Sequence, residues 1–205
     1  MAETQPRYIA VGAPGSRVTR VTWMLEELGQ PYAIVPAKPH SAEMRRHNPT
    51  GKAPALVDGA LVLTDSAAIC SYLAERHPEA GFAPADAAER AALTAWLCFA
   101  QAEFEAPLWT KLKHRFLLAE AERLDVAAWT AAEFAREVRA LEARLGDGPY
   151  ALGARFSAAD VVLGHCGRWA RGARFAVESE AVNAYFDRLL ARPALARALA
   201  REAAA

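Results

Sequence analysis

The sequence predicts an α+β protein of two domains: a small βαβ-ββα domain over residues 1–78 and an all-helical domain over 87–205, joined by a linker at 79–86. Three observations carry this. Residues 8–77 alternate short apolar runs with stretches of helical period. "PEAGFAPAD" (78–86) is rich in Pro, Gly and Ala and has no period. Beyond it every stretch is alanine-rich with apolar residues at helical spacing.

The elements follow in order. "YIAVGA" (8–13) reads as a strand. "SRVTRVTWMLEELG" (16–29) reads as a helix with Val18, Val21, Met24, Leu25 and Leu28 on one buried face and Gly29 as its stop. "YAIV" (32–35) is a second strand, so the order implies a parallel pair with a right-handed crossover. "SAEMRRHN" (41–48) is a short helix ended by Pro49 and Gly51. "PALVD" (54–58) and "LVLT" (61–64) flank an Asp-Gly turn, the signature of an antiparallel hairpin. "SAAICSYLAERH" (66–77) is a helix closed by His77-Pro78.

In the second half, 87–118 is a long helical span expected to break near Pro107. Residues 126–146 carry Trp129, Phe134, Val138, Leu141 and Leu145 at helical spacing. Residues 157–171, 179–192 and 193–202 complete the set. Trp23, Trp96 and Trp129 are expected in the core. His165 and Cys166 are expected to pack rather than ligate. His114, among Lys111, Lys113 and Arg115, is expected on a solvated basic face, and His47 and His77 end helices, where positive charge is favourable.

Composition narrows the function classes. The chain has 205 residues, 53% hydrophobic and 23% charged, with a formal net charge of zero. This balance argues against nucleic acid or an anionic membrane surface as a partner held by bulk charge. Cys70, Cys98 and Cys166 are widely spaced, with no pattern that would hold a metal or a disulfide framework. "MAETQPRYIAVGAPG" lacks the basic and apolar regions of a signal peptide, and no run is long enough to span a bilayer. The expectation is a soluble, cytoplasmic protein without a metal.

Four short motifs could carry chemistry. Ser157-x-x-Asp160 is a capping box in its acidic form and reads as structural. In "APGSR" (13–17) a strand ends, a turn follows and a helix opens. Ser16 could cap that helix, or its hydroxyl could join the helix N-terminus in holding a small anion or an ionised thiol. Lys52-Ala53-Pro54 could hold an ordinary trans proline at a strand edge. A cis bond would instead turn Ala53's N–H and C=O toward an extended peptide lying alongside. Asp65-Ser66 could be a cap. Both together could also take a zwitterion, with Asp65 on its ammonium and Ser66 on its carboxylate.

Three segments, "SRVTRVTWMLEELGQPY" (16–32), "NPTGKAPALVDGALVLTDSAAICSYLAE" (48–75) and "FSAADVVLG" (156–164), together resemble the cytosolic glutathione transferase family. The resemblance covers nearly the whole chain. It implies a thioredoxin-like first domain, a helical second domain and a homodimer. It also implies a detoxifying transferase that binds glutathione, γ-Glu-Cys-Gly. By resemblance, Ala53 before a cis Pro54 pairs with the cysteinyl part, Asp65 and Ser66 take the γ-glutamyl end, and His40 and Lys52 meet the glycyl end. The activating tyrosine of some classes would fall near Val11, and Tyr8 lies too early. Serine-type members, bacterial and theta- or beta-like, match Ser16 better, with Arg17 and neighbouring amides in reserve. Ala13, Trp109, Phe116 and Trp169 are the expected lining for a small electrophile. The same scaffold also serves glutathione-dependent isomerases, dehalogenases and peroxidases, and non-catalytic interaction modules. Pro54, Asp65 and Ser66 weigh against the last, since such modules often lose the glutathione residues.

Overall fold

A computed structural model describes residues 6–205, which divide into two compact units, 6–83 with 191–205 and 84–190. The division between Ala83 and Pro84 falls inside the expected linker.

The first unit is a four-stranded sheet with helices. Its strands are β1 (Tyr8–Val11), β2 (Tyr32–Val35), β3 (Ala55–Asp58) and β4 (Leu61–Thr64), in the order β2-β1-β3-β4. β1 runs parallel to β2 and antiparallel to β3, and β3 pairs antiparallel with β4. The expected hairpin is present, but its loop is Gly59-Ala60, because Asp58 pairs with Leu61 inside the ladder. Gly59 sits at φ 60°, the left-handed conformation such a loop needs. Asp58 stays in register because Arg7 grips it through Nε–Oδ1 at 2.6 Å and Nη2–Oδ2 at 2.9 Å, and Tyr72 Oη donates to Oδ2 at 2.7 Å. The Arg7 hydrogen bond holds the Asp58 carboxyl below its ordinary pKa.

The helices of this unit are α1 (Val18–Glu27), α2 (Ala42–His47) and α3 (Ser66–Arg76). The sequence suggests one apolar stripe on α1, yet every residue from Val18 to Leu25 is buried, Thr19, Arg20 and Thr22 included. The reason is a third packing partner: α9 (Pro193–Ala203) lies on α1 together with α3. Residues 193–202, expected with the helical domain, are therefore part of the first unit. Arg192 pairs with Glu27 at 2.5 Å and Arg197 with Glu26 at 2.8 Å, so charge as well as apolar area ties this helix to α1.

The second unit is helical: α4 (Ala87–Phe99), α5 (Ala106–Leu112), α6 (Ala127–Leu145), α7 (Ala158–Gly172) and α8 (Glu180–Leu190). The span 87–118 breaks where Pro107 demands it, with a π-helical turn at Ala100–Phe104 before α5 and a second at Lys113–Leu117 after it. Phe104 sits at the centre of an aromatic core, its ring centroid 5.1 Å from Phe134, 6.0 Å from Phe99 and 6.1 Å from Phe186.

Two expectations for this unit need correction. Trp129 is 55% exposed, because the buried stripe of α6 starts at Thr130 and runs through Phe134, Val138, Leu141 and Leu145. The basic segment is not simply solvated. Lys111 Nζ lies 4.2 Å from the Phe175 ring centroid and donates to Ala173 O at 3.1 Å. His114 Nδ1 accepts from Leu124 N at 3.1 Å. His165 and Cys166 are buried, as packing residues should be.

α7 crosses α8 closely enough that a Cβ on Gly167 would fall 2.6 Å from Phe186 Cδ1. Gly167→Ala should therefore destabilise the protein by about 1–3 kcal/mol through overpacking, despite alanine's better helix propensity. Gly172→Ala, with nothing within 4 Å of its added methyl, is the control. Thermal unfolding of the two variants side by side checks this, and equal melting temperatures would refute it.

Candidate functional site

Register brings the candidate segments of the first unit to one end of the sheet. Val11, the last residue of β1, pairs with Val35, the last of β2, and with Ala55, the first of β3; Ala55 in turn pairs with Thr64, the last of β4. The segments leaving that end are 12–17, 36–41, 51–54 and 65–66, which carry Ala13, Ser16, His40, Lys52, Ala53, Pro54, Asp65 and Ser66.

The β1–α1 segment turns tightly. Ser16 N donates to Ala13 O at 3.1 Å, and Thr19 N donates to Ser16 O at 3.0 Å. Regular α-helix begins only at Val18, two residues later than the sequence suggests, after a turn closed by three-residue hydrogen bonds. Ser16 is half-buried, and its Oγ lies 3.4 Å from Val18 N, a long contact for a cap. Gly12 is confined beside it, because a Cβ there would stand 2.9 Å from Val18 Cβ and 3.5 Å from Ala53 Cβ. The second of these distances places the start of this segment against the Ala53 corner.

That corner contains a cis Ala53–Pro54 peptide bond. Among the described residues no hydrogen bond engages the Ala53 backbone, while its neighbours are held: Asn48 Nδ2 donates to Lys52 O at 2.7 Å. His40 N donates to Gly51 O at 2.7 Å, and a Cβ on Gly51 would fall 2.8 Å from His40 Nδ1. His40 and Lys52, both exposed, therefore share one edge of the segment.

Asp65 and Ser66 differ from each other. Asp65 has φ 69° and ψ 110°, its side chain makes no capping hydrogen bond, and it is exposed. Aspartate in that conformation is uncommon, and the simple capping reading does not account for it. Ser66 is 1% exposed and its Oγ accepts from Arg20 Nη1 at 3.1 Å. A hydroxyl whose lone pair is held by a guanidinium is polarised to donate its own proton.

The sequence reading missed Arg20 and Glu202. Arg20 sits among apolar positions of α1, and its burial depends on packing. Glu202 is 187 residues from Gly15, whose N–H it accepts at 2.8 Å, and no local pattern marks it.

Two alternatives to a ligand thiol held near Ser16 are disfavoured. Tyr8 is fully buried and its hydroxyl lies 2.8 Å from His77 Nε2, at the other end of α3. Burial pushes its phenol pKa up. Cys70 is likewise buried, which pushes its thiol up to about 12 and leaves it inert near neutral pH. Among the described residues no group of three or more His, Cys, Asp or Glu could hold a metal ion.

The family model described as Glutathione S-transferase, N-terminal domain, matches residues 11–81, and that described as Glutathione S-transferase, C-terminal domain, matches 119–201. Glutathione S-transferase 3 of Zea mays is 34% identical over 153 residues, 70% of this chain and 68% of its own length. The chain belongs to the glutathione S-transferase family. Solved glutathione S-transferases share its fold. The theta-class enzyme of Xanthomonas axonopodis pv. citri, with glutathione bound, is 28% identical at a TM-score of 0.80, over 95% of this chain and 98% of that one. The Burkholderia graminis glutathione transferase, with two glutathione molecules per subunit, is 28% identical at a TM-score of 0.81, over 95% and 88%. The family architecture accounts for both units, a mixed four-stranded sheet with its helices and a separate helical unit.

Of the expected electrophile lining, Ala13 is half-buried in the first unit. In the second unit Trp109 and Trp169 are half-buried and Phe116 is 60% exposed. Among the described residues no helix is long and apolar enough to cross a membrane.

Proposed function

We propose that this glutathione transferase binds glutathione at the end of the sheet where β1, β2 and β4 finish, and ionises its thiol beside Ser16. The observation that carries the reading is Asp65: an exposed carboxylate in left-handed backbone conformation, making no cap, next to a hydroxyl already polarised by Arg20. Asp65 takes the γ-glutamyl ammonium. Ser66 and the start of α3 take the carboxylate, favoured by the helix dipole. The Ala53 backbone pairs with the cysteinyl residue as an added strand would. His40 and Lys52 meet the glycyl carboxylate.

A free thiol has pKa ~8.5 and is mostly protonated at neutral pH. The Ser16 hydroxyl and the start of α1 favour the thiolate, and lowering the pKa by about two units requires about 2.7 kcal/mol. The amides of Gly15 and Ser16 already donate, to Glu202 and to Ala13 O. That supports the Ser16 hydroxyl, with Arg17 in reserve, over those two amides. The thiolate then attacks a small electrophile, beside which Ala13 of the same unit is the proposed lining. The same reading has the protein as a cytoplasmic homodimer, and sedimentation in solution tests the assembly.

The test is thermal unfolding with and without glutathione. Glutathione at 100 times its Kd should stabilise the protein by about 2.7 kcal/mol. Asp65→Ala should weaken binding at least about tenfold, since one partner of a charge pair costs about 2 kcal/mol or more. No shift at millimolar glutathione would instead support an interaction module. A substrate panel of aryl halides, peroxides and halogenated acids then separates conjugation from peroxidase and dehalogenase chemistry.

A further inference from the structure

The β1–α1 segment is held by a residue from the far end of the chain. Glu202 on α9 is 4% exposed, and its carboxylate accepts three hydrogen bonds. Gly15 N donates to Oε2 at 2.8 Å, Thr19 Oγ1 to Oε2 at 2.9 Å, and Thr22 Oγ1 to Oε1 at 2.6 Å. All three donors lie just before α1 or in its first two turns. A buried carboxylate must be matched by donors, and here they are one amide and two hydroxyls.

α9 does not need Glu202 merely to stay on α1. Arg192–Glu27 and Arg197–Glu26 clamp its earlier turns, and Arg201 Nη2 donates to Tyr32 O at 2.7 Å. Glu202 does something those pairs cannot, because it reaches the turn itself. Gly15 stands at φ 76° with nothing within 4 Å of an added Cβ, so side-chain packing does not define that turn. Backbone bonds such as Ser16 N to Ala13 O close it, and the hydrogen bond from the Gly15 amide to Glu202 ties it to α9.

We infer that Glu202 is a positioning residue: by fixing Gly15, it sets where the Ser16 hydroxyl stands for the glutathione thiol. The inference rests on the assignment of Ser16 as the group that holds that thiol. It makes the last helix part of the working site, although 186 residues separate it from Ser16 in the chain. The two hydroxyl bonds keep the carboxylate in place, and the Gly15 bond transmits its position to the next residue.

The experiment compares Glu202→Ala with Glu202→Gln in the full chain. Both remove the negative charge. Only alanine removes the acceptor, since a glutamine oxygen still takes the Gly15 N–H and the Thr19 hydroxyl, and its amide can donate to Thr22. The readouts are glutathione Kd by calorimetry, melting temperature, and the pH midpoint of the bound thiolate followed by its ultraviolet absorbance. Positioning predicts a midpoint at least about one unit higher in Glu202→Ala than in Glu202→Gln, which is tenfold less thiolate at fixed pH, with Kd within about threefold. In a Ser16→Ala background the difference should vanish.

A purely structural role predicts a lower melting temperature in Glu202→Ala but coincident midpoints, and that result overturns the inference while leaving Ser16 in place. If Ser16→Ala alone leaves the midpoint unmoved, or the native protein binds no glutathione, the assignment beneath it fails and the inference goes with it.

Discussion

Ser16→Ala is expected to lower kcat/KM for conjugation by about 10- to 100-fold while the glutathione Kd changes by less than about threefold. The size follows from the bond removed. A hydrogen bond to a charged group contributes about 1.5–3 kcal/mol, and each 1.4 kcal/mol is tenfold in rate. The asymmetry follows from where the affinity arises. In the proposed site Asp65, Ser66, Ala53, His40 and Lys52 hold the peptide by its ends and backbone, and none of those proposed contacts involves the thiol. In that proposal Ser16 acts on the sulfur, so its loss should appear in the chemical step. Steady-state kinetics with glutathione varied, alongside calorimetry, separates the two effects. Unchanged turnover would move the role to Arg17. A parallel loss of affinity and rate would make Ser16 a binding residue.

Asp160→Ala is expected to produce the largest loss of stability, about 3–5 kcal/mol, or about 6–20 °C in Tm for a chain of this size. Ser157 opens α7 and Asp160 closes its capping box, with Ser157 N at 2.8 Å and Ser157 Oγ at 2.9 Å from Oδ2. The box also reaches beyond its own helix. Oδ1 accepts from Ala151 N at 2.8 Å and from Tyr185 Oη at 2.8 Å, which ties the preceding loop and α8 to the start of α7. Asp160 is fully buried, and burial pushes its pKa up against the pull of those hydrogen bonds. Alanine would strand all four donors in the interior, where each unmet group costs about 1–3 kcal/mol before relaxation. Thermal unfolding checks this, and a loss below about 1 kcal/mol would mean that water or rearrangement satisfies the donors. Kinetics at a temperature where the variant is still folded should be near native, because the hydrogen-bond partners of Asp160 (Ala151, Ser157 and Tyr185) are not residues of the proposed site.

Much of this was legible in the sequence because the signals are local. β2 and β4 match the expected runs residue for residue, and α3 and α6 lie within a residue of theirs. The capping box, the break at Pro107 and the parallel-then-antiparallel strand order all follow from short-range patterns and the chirality of the crossover. The polar pair 65–66 could be singled out because it stands at a strand–helix junction. Its choice between cap and ligand site was not legible. The features that bear on it, the backbone at Asp65 and the approach of Arg20 from another helix, exist only in the folded chain.

Other features were illegible for a related reason. Trp129 fits the helical period almost as well as Thr130, and only the direction in which α6 packs decides which is buried. A helical pattern says that a face exists and does not say what covers it. Residues 193–202 read as one more helix of the second half, and their placement on α1 rests on apolar burial together with charges at positions 26 and 27.

By itself the sequence determined the elements, their order and the chemical types placed at each junction, because periodicity, turn residues and caps act over a few residues. Tertiary structure alone decided which junctions meet. Strand register gathers Ser16, Ala53 and Asp65 at one end of the sheet, and the last helix brings a buried carboxylate to Gly15. Hydrogen bonds of under 3 Å act between groups that the chain separates by any distance, and only packing selects the pairs that form them.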